Sequence, residues 1–279
     1  NRRMLHNKFL ILWRKEFMSE QSMIFPWQEK LWQQIKKIHN LQRLPHALLI
    51  TGTAGCFQAK LAKRLAQLQN CQAAGERPCL QCEQCHLIEI THHPDVYQLA
   101  PEQEGAQIKI AAIRALSDNL QHTGHAGLYR VAIIEHAHAM NHASANALLK
   151  TLEEPGENSL LILLSDKPAL LPQTILSRTQ VLVQATPSLA EATDWLQSEG
   201  ITELAGAKLC FQLLGQNLEK TLENVHAGVA AQIQKLALLL NLIASCRVDW
   251  DEVTAIQKQL SLPLFLTFLQ NWTSGLIHY

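Results

Sequence analysis

A parallel α/β sheet domain followed by a run of helices is the fold this sequence predicts, on three observations. Short apolar stretches recur along the first two thirds of the chain, each separated from the next by a stretch with helical spacing. A glycine turn links the first of them to the helix pattern that follows. Beyond about residue 185 the apolar positions keep helical spacing only. Uninterrupted apolar strands that alternate with helices imply strands running the same way, in a sheet covered on both faces.

Taken in order, Trp27, Leu31, Ile35 and Ile38 share one face of a helix over residues 27–43. Residues 46–51, bounded by Pro45 and Gly52, read as a buried strand. Phe57, Leu61, Leu65 and Leu68 return to helical spacing. Strand, glycine turn and helix are the opening of a nucleotide-binding α/β fold. Four more strands are expected at residues 96–100, 130–135, 160–165 and 180–184, with helices at 110–122 and 143–152 between them. Ser188, with Glu191 three residues later, has the form of a capping box and starts a helix. A second helical run begins at Leu209, and residues 230–279 are again helical, with a break at Ser261-Leu262-Pro263. The expected organisation is an extension outside the globular pattern (1–22), a sheet domain (23–185), a small helical domain (186–229) and further helices (230–279).

Lys and Arg number 24, as do Asp and Glu. A stand-alone nucleic-acid binder needs a basic surplus to neutralise phosphates, so this balance argues against one. No run of 18 apolar residues exists and no secretory signal precedes the domain, so a cytoplasmic chain without a membrane span is expected.

Four of the seven cysteines, Cys71, Cys79, Cys82 and Cys85, fall within fifteen residues. Two overlapping C-x2-C turns fold three thiolates toward one ion, and Cys71, at the end of the preceding helix, reaches back as the fourth. Four thiolates fill the tetrahedral shell of zinc and leave no open position, so the expected role is structural. His86, His92 and His93 read as ordinary loop histidines, and Cys56, Cys210 and Cys246 as packed thiols.

Gly52-Thr-Ala-Gly55-Cys-Phe57-Gln58-Ala59 stands where a phosphate loop of the form G-x-x-x-x-G-K-[ST] belongs. Phe57 occupies the second glycine position, Gln58 the lysine and Ala59 the hydroxyl residue. The loop thereby loses the close backbone approach, the ammonium and the magnesium ligand. Lys60 comes two positions late and is expected to face away. At the end of the third strand Glu135-His136 replaces the acidic pair that holds magnesium and orients water. ATP hydrolysis by this chain is not expected.

Residues 140–155, Met-Asn-His-Ala-Ser-Ala-Asn-Ala-Leu-Leu-Lys-Thr-Leu-Glu-Glu-Pro, resemble the AAA+ clamp-loader subunits of bacterial DNA polymerase III. Leu176-Ser177-Arg178-Thr179 is similar to the Ser-Arg-Cys motif of that family, with Thr179 in place of cysteine. The four-cysteine insert and Thr91-His-His-Pro94-Asp95 are shared as well. The resemblance is strong over residues 23–185. It implies a RecA-like AAA+ domain with a zinc-binding insert, a helical lid at 186–229, and at 230–279 part of a helical collar. The dismantled loop points to the ATPase-inactive branch. The resemblance further implies a place in the DNA polymerase holoenzyme, a nucleotidyltransferase, with gamma/tau motor subunits, delta, the sliding clamp and primed DNA as partners. Arg178, with Ser177, would then serve as an arginine finger in a neighbouring motor. The alternatives are a gamma/tau-type motor, which the loop opposes, and a structural scaffold, which differs only at Arg178.

Overall fold

The structure, a computed structural model, describes residues 24–103, 105–121 and 128–235, with residues 237, 251, 254, 265, 266, 269 and 270. The expected extension at 1–22, Cys246, and most of the expected partial collar at 230–279 lie outside the described residues. The chain forms two compact units. One is Gln28–Ala185; the other joins residues 24–27 to those from Thr186 onward.

Five strands build the first unit: β1 (Ala47–Thr51), β2 (Val96–Leu99), β3 (Arg130–Ile134), β4 (Ser159–Ser165) and β5 (Gln180–Val183). All pairings are parallel, in the order β2-β3-β4-β1-β5. Every residue of β1, β3 and β4 is buried, as uninterrupted apolar runs require. The edges differ. The β2 residues are half-buried, and β5 buries Leu182 while Val181 and Val183 are 47% and 70% exposed. Coverage on both faces therefore belongs to the three central strands.

Helices α1 (Glu29–Asn40), α2 (Gln58–Asn70), α3 (Glu83–Glu89), α4 (Ile110–Gln121), α5 (His142–Glu153) and α6 (Gln173–Leu176) connect them. The first is shorter than its apolar spacing predicts. A 3-10 turn over Pro26–Gln28 precedes it, and the chain leaves it where Gln42 turns left-handed at φ 54°. Helix α5 starts on Asn141, whose side chain accepts from the Ser144 amide. Ile113, Leu116 and Leu120 of α4 and Ala145, Leu148 and Leu152 of α5 meet Leu49, Ala132, Leu161 and Leu163 of the sheet in one core.

The second unit contains α7 (Leu189–Ser198), α8 (Leu204–Leu213) and α9 (Leu218–His226). Both bonds of the capping box form: the Glu191 amide donates to Ser188 Oγ, and the Ser188 amide to Glu191 Oε2 at 2.8 Å. Helix α8 begins five residues before Leu209, because Ala205, Gly206 and Ala207 are too small to register as an apolar stripe. A Cβ at Gly206 would stand 3.2 Å from that of Ala230, so the small residue permits that approach. Phe25 and Trp27, which the sequence reading attached to the sheet domain, stack at 4.8 Å and meet Trp195 of α7 edge-on.

Candidate functional site

The loop after β1 leads from the strand into α2, and the protein's own side chains bond into it. Phe57, at the position of the second glycine, is left-handed at φ 63°, ψ 35°. Glycine adopts that conformation freely, whereas other residues lose about 1–2 kcal/mol in it. Its ring is nevertheless buried, and the Lys60 ammonium folds back over it at 5.6 Å from the centroid. Gln58, at the lysine position, turns inward and donates to the Thr53 carbonyl at 2.7 Å. Gln28 donates to the Phe57 carbonyl and to Gln184 Oε1, both at 3.0 Å, and Gln184 donates to the Cys56 carbonyl at 2.7 Å. A Cβ on Gly52 would meet the Gln184 carbonyl at 3.1 Å. Side-chain amides thus occupy the ground beside the loop. Gln28 and Gln184 belong to no motif, and only the fold brings them to the loop.

Strain and burial oppose each other at Phe57, and their sizes decide a test. Phe57→Gly relieves about 1–2 kcal/mol of left-handed strain and forfeits about 3–5 kcal/mol of buried ring. A net destabilisation of about 2 kcal/mol is expected in urea unfolding. An increase in stability would mean that the ring contributes little.

Glu135 and His136 follow β3 directly, and the Glu135 amide extends the ladder to the Leu99 carbonyl at 2.8 Å. His136 is exposed and left-handed at φ 50°.

The four cysteine sulfurs all lie within 4.8 Å of one another, as the spacing predicts. Cys71 caps the C-terminus of α2, Cys82 precedes α3 and Cys85 is buried inside α3. The Cys79 amide points at Cys71 Sγ and the Cys82 amide at Cys79 Sγ, each at 3.3 Å. Amides directed at sulfur favour thiolate. Those of Gln81 and Cys82 bring the Cys79 thiol down to about 6, while burial pushes Cys85 up. Four unpaired thiols converging in this way form a donor set for a soft or borderline metal ion. The neighbouring histidines stay apart from it. His86 and His92 are exposed, and His93 is buried, where it accepts from the Asp95 amide. Asp95 is itself buried and paired with Arg130 of β3 at 3.5 Å.

Arg178 leaves α6 just before β5, with its side chain 37% exposed. It forms an ion pair with Glu153 at 2.7 Å and donates to the Thr174 carbonyl. Ser177 Oγ donates to the same carbonyl, and Thr179 Oγ1 donates to that of Ile175. Glu153 is the first acid of the Leu-Glu-Glu-Pro end of α5, so two motifs separated in sequence meet here. The sequence reading quoted that glutamate without assigning it a partner.

A family model described as "DNA polymerase III, delta subunit" matches residues 27–187. The DNA polymerase III subunit delta' of Pseudomonas aeruginosa is 32% identical over 269 residues, covering 92% of this chain and 78% of that protein. The chain belongs to the delta-prime family of DNA polymerase III subunits. The delta' subunit of Haemophilus influenzae is 34% identical over 180 residues, 64% of this chain and 55% of the relative. A second kind of subunit is similar too: the tau subunit of Escherichia coli is 36% identical over 140 residues, half of this chain and 21% of that protein.

Proposed function

We propose that this delta-prime chain is the ATPase-inactive subunit of a clamp loader, acting in the cytoplasm beside gamma/tau motor subunits and delta to place the sliding clamp on primed DNA. The observation that carries the reading is the occupied loop. Gln58 is bonded inward, Phe57 takes the second glycine position, and Gln28 and Gln184 hold the loop carbonyls. A subunit of this kind contributes by presenting groups to its neighbours, and Arg178 with Ser177 is the group it presents. The exposed guanidinium supports this role, since a planar, permanently charged donor fork matches phosphate oxygens. Structural zinc on Cys71, Cys79, Cys82 and Cys85 fixes the insert and takes no part in hydrolysis, because four thiolates leave no position for water.

Two measurements test the reading. The isolated chain is expected to hydrolyse no ATP above background, with or without primed DNA. Added to motor and delta subunits, it is expected to restore clamp loading to a mixture that lacks it. Turnover by the isolated chain that disappears on mutation of Glu135 would overturn the first part, and unchanged loading without the chain would overturn the second.

A further inference from the structure

We propose a second metal site, separate from the four cysteines, made by His136, His138 and Asp166 at the carboxyl ends of β3 and β4. Its ligand is a borderline divalent transition-metal ion of the zinc or nickel kind.

The donor atoms of the three residues all lie within 4.8 Å of one another. His138 Nδ1 stands 3.3 Å from Asp166 Oδ1. Two ligands on one tetrahedral ion, each about 2.0–2.1 Å from it, are themselves about 3.3 Å apart. One edge of the coordination shell is therefore already set. The His136 ring stands perpendicular to that of His138, at 5.8 Å between centroids. His136 is exposed, so rotation of its side chain alone can close the remaining distance.

The backbone holds this arrangement from both strands. The chain leaves β3 through left-handed His136 and enters a 3-10 turn at Ala137–Ala139, closed by the Ala139 amide on the His136 carbonyl at 2.7 Å. Asp166 is the first residue past β4, beside β3 in the sheet. Ser165 Oγ accepts from the Lys167 amide at 3.2 Å and lies 3.1 Å from His138 Nδ1, so it holds the ring beside the aspartate's turn, and that contact gives way when Nδ1 takes the ion. A left-handed residue other than glycine is costly and tends to persist where the surroundings require it, often at a binding site. His138 and Asp166 are 14% and 18% exposed, sheltered yet within reach of an ion.

The donor types select the metal. Magnesium, the ion of nucleotide sites, prefers an all-oxygen shell and retains several waters. Two imidazoles and one carboxylate suit zinc, nickel, cobalt or copper, and leave a coordination position open. Lys167 is near enough to act electrostatically on His138 and so weakens the attraction for a cation, which the Asp166 carboxylate opposes.

The test is a calorimetric titration of Ni2+ into the full chain with its cysteine site filled by zinc, and zinc content measured before and after. One Ni2+ per chain is expected to bind without loss of zinc. His136→Asn and Asp166→Asn are each expected to weaken it by more than about tenfold, the lower bound for loss of a supporting partner of a metal ligand. Asparagine tolerates the left-handed conformation, and position 136 is exposed, so the first variant keeps the fold. Absence of saturable binding, one-for-one displacement of zinc, or an affinity in both variants unchanged from that of the unmutated chain would each overturn the site.

Discussion

With Arg178→Ala in this subunit alone, the assembled clamp loader is expected to lose at least about tenfold in DNA-stimulated hydrolysis at the adjacent motor site, each power of ten being about 1.4 kcal/mol of transition-state stabilisation. Clamp loading should fall with it. The chain itself should fold and assemble normally. The arginine pairs with a half-exposed glutamate, and surface pairs of this kind contribute about 0–1 kcal/mol. Lysine is expected to rescue poorly, because a point charge does not reproduce the two-pronged contact. Glu153→Gln separates positioning from charge: it removes the partner that aims the guanidinium and leaves the finger in place. Steady-state hydrolysis and loading by the reconstituted complex, with assembly confirmed, give the measurement. Rates equal to those of the unmutated complex would make Arg178 a surface residue and favour a scaffold role.

If the four cysteines hold zinc as proposed, its loss should have the largest effect on the chain's own stability. Cys85→Ser is expected to release one zinc per chain and to destabilise the sheet unit by about 4 kcal/mol or more, the range reached when a metal site is lost. The reason is local. Cys85 is buried, and its carbonyl accepts from Gln67 of α2 at 2.8 Å. Gln67 and Arg64 also reach Glu89 of α3, so the cysteine cluster and the α2–α3 contact share one small network. Hydrogen exchange should show protection falling first in α3 and the end of α2, while β3 and β4 stay protected. Elemental analysis checks the metal. A fully folded, metal-free preparation with unchanged stability would remove zinc from the account.

What the sequence made legible follows from signal strength. The central strands were readable because residues buried on both faces are mostly apolar, and apart from their polar end residues β3 and β4 consist of Val, Ile, Leu and Ala. The cysteine cluster was readable because its donors sit close together in the chain. The partners that finish each site were not. Gln28 and Gln184 are 156 residues apart and lie in no motif, so only the fold brings them to the loop. Glu153 and Arg178 belong to separate motifs that meet through the packing of α5 and α6. His138 and Asp166 come from different strands, and the turn that aligns the two histidines depends on a left-handed residue that carries no compositional mark.

The two glutamines beside the loop also have a bearing on how the domain assembles. Gln28 and Gln184 stand at or next to the two ends of the 28–185 unit, and both bond to the Cys56 carbonyl. This is a contact of very high sequence separation. The half made by Gln184 closes a loop of 128 residues, whose entropy must be met before that bond contributes. The two ends of the unit are thus buttoned to the same peptide. The stretch that stands in the place of a phosphate loop serves here as the seam of the domain.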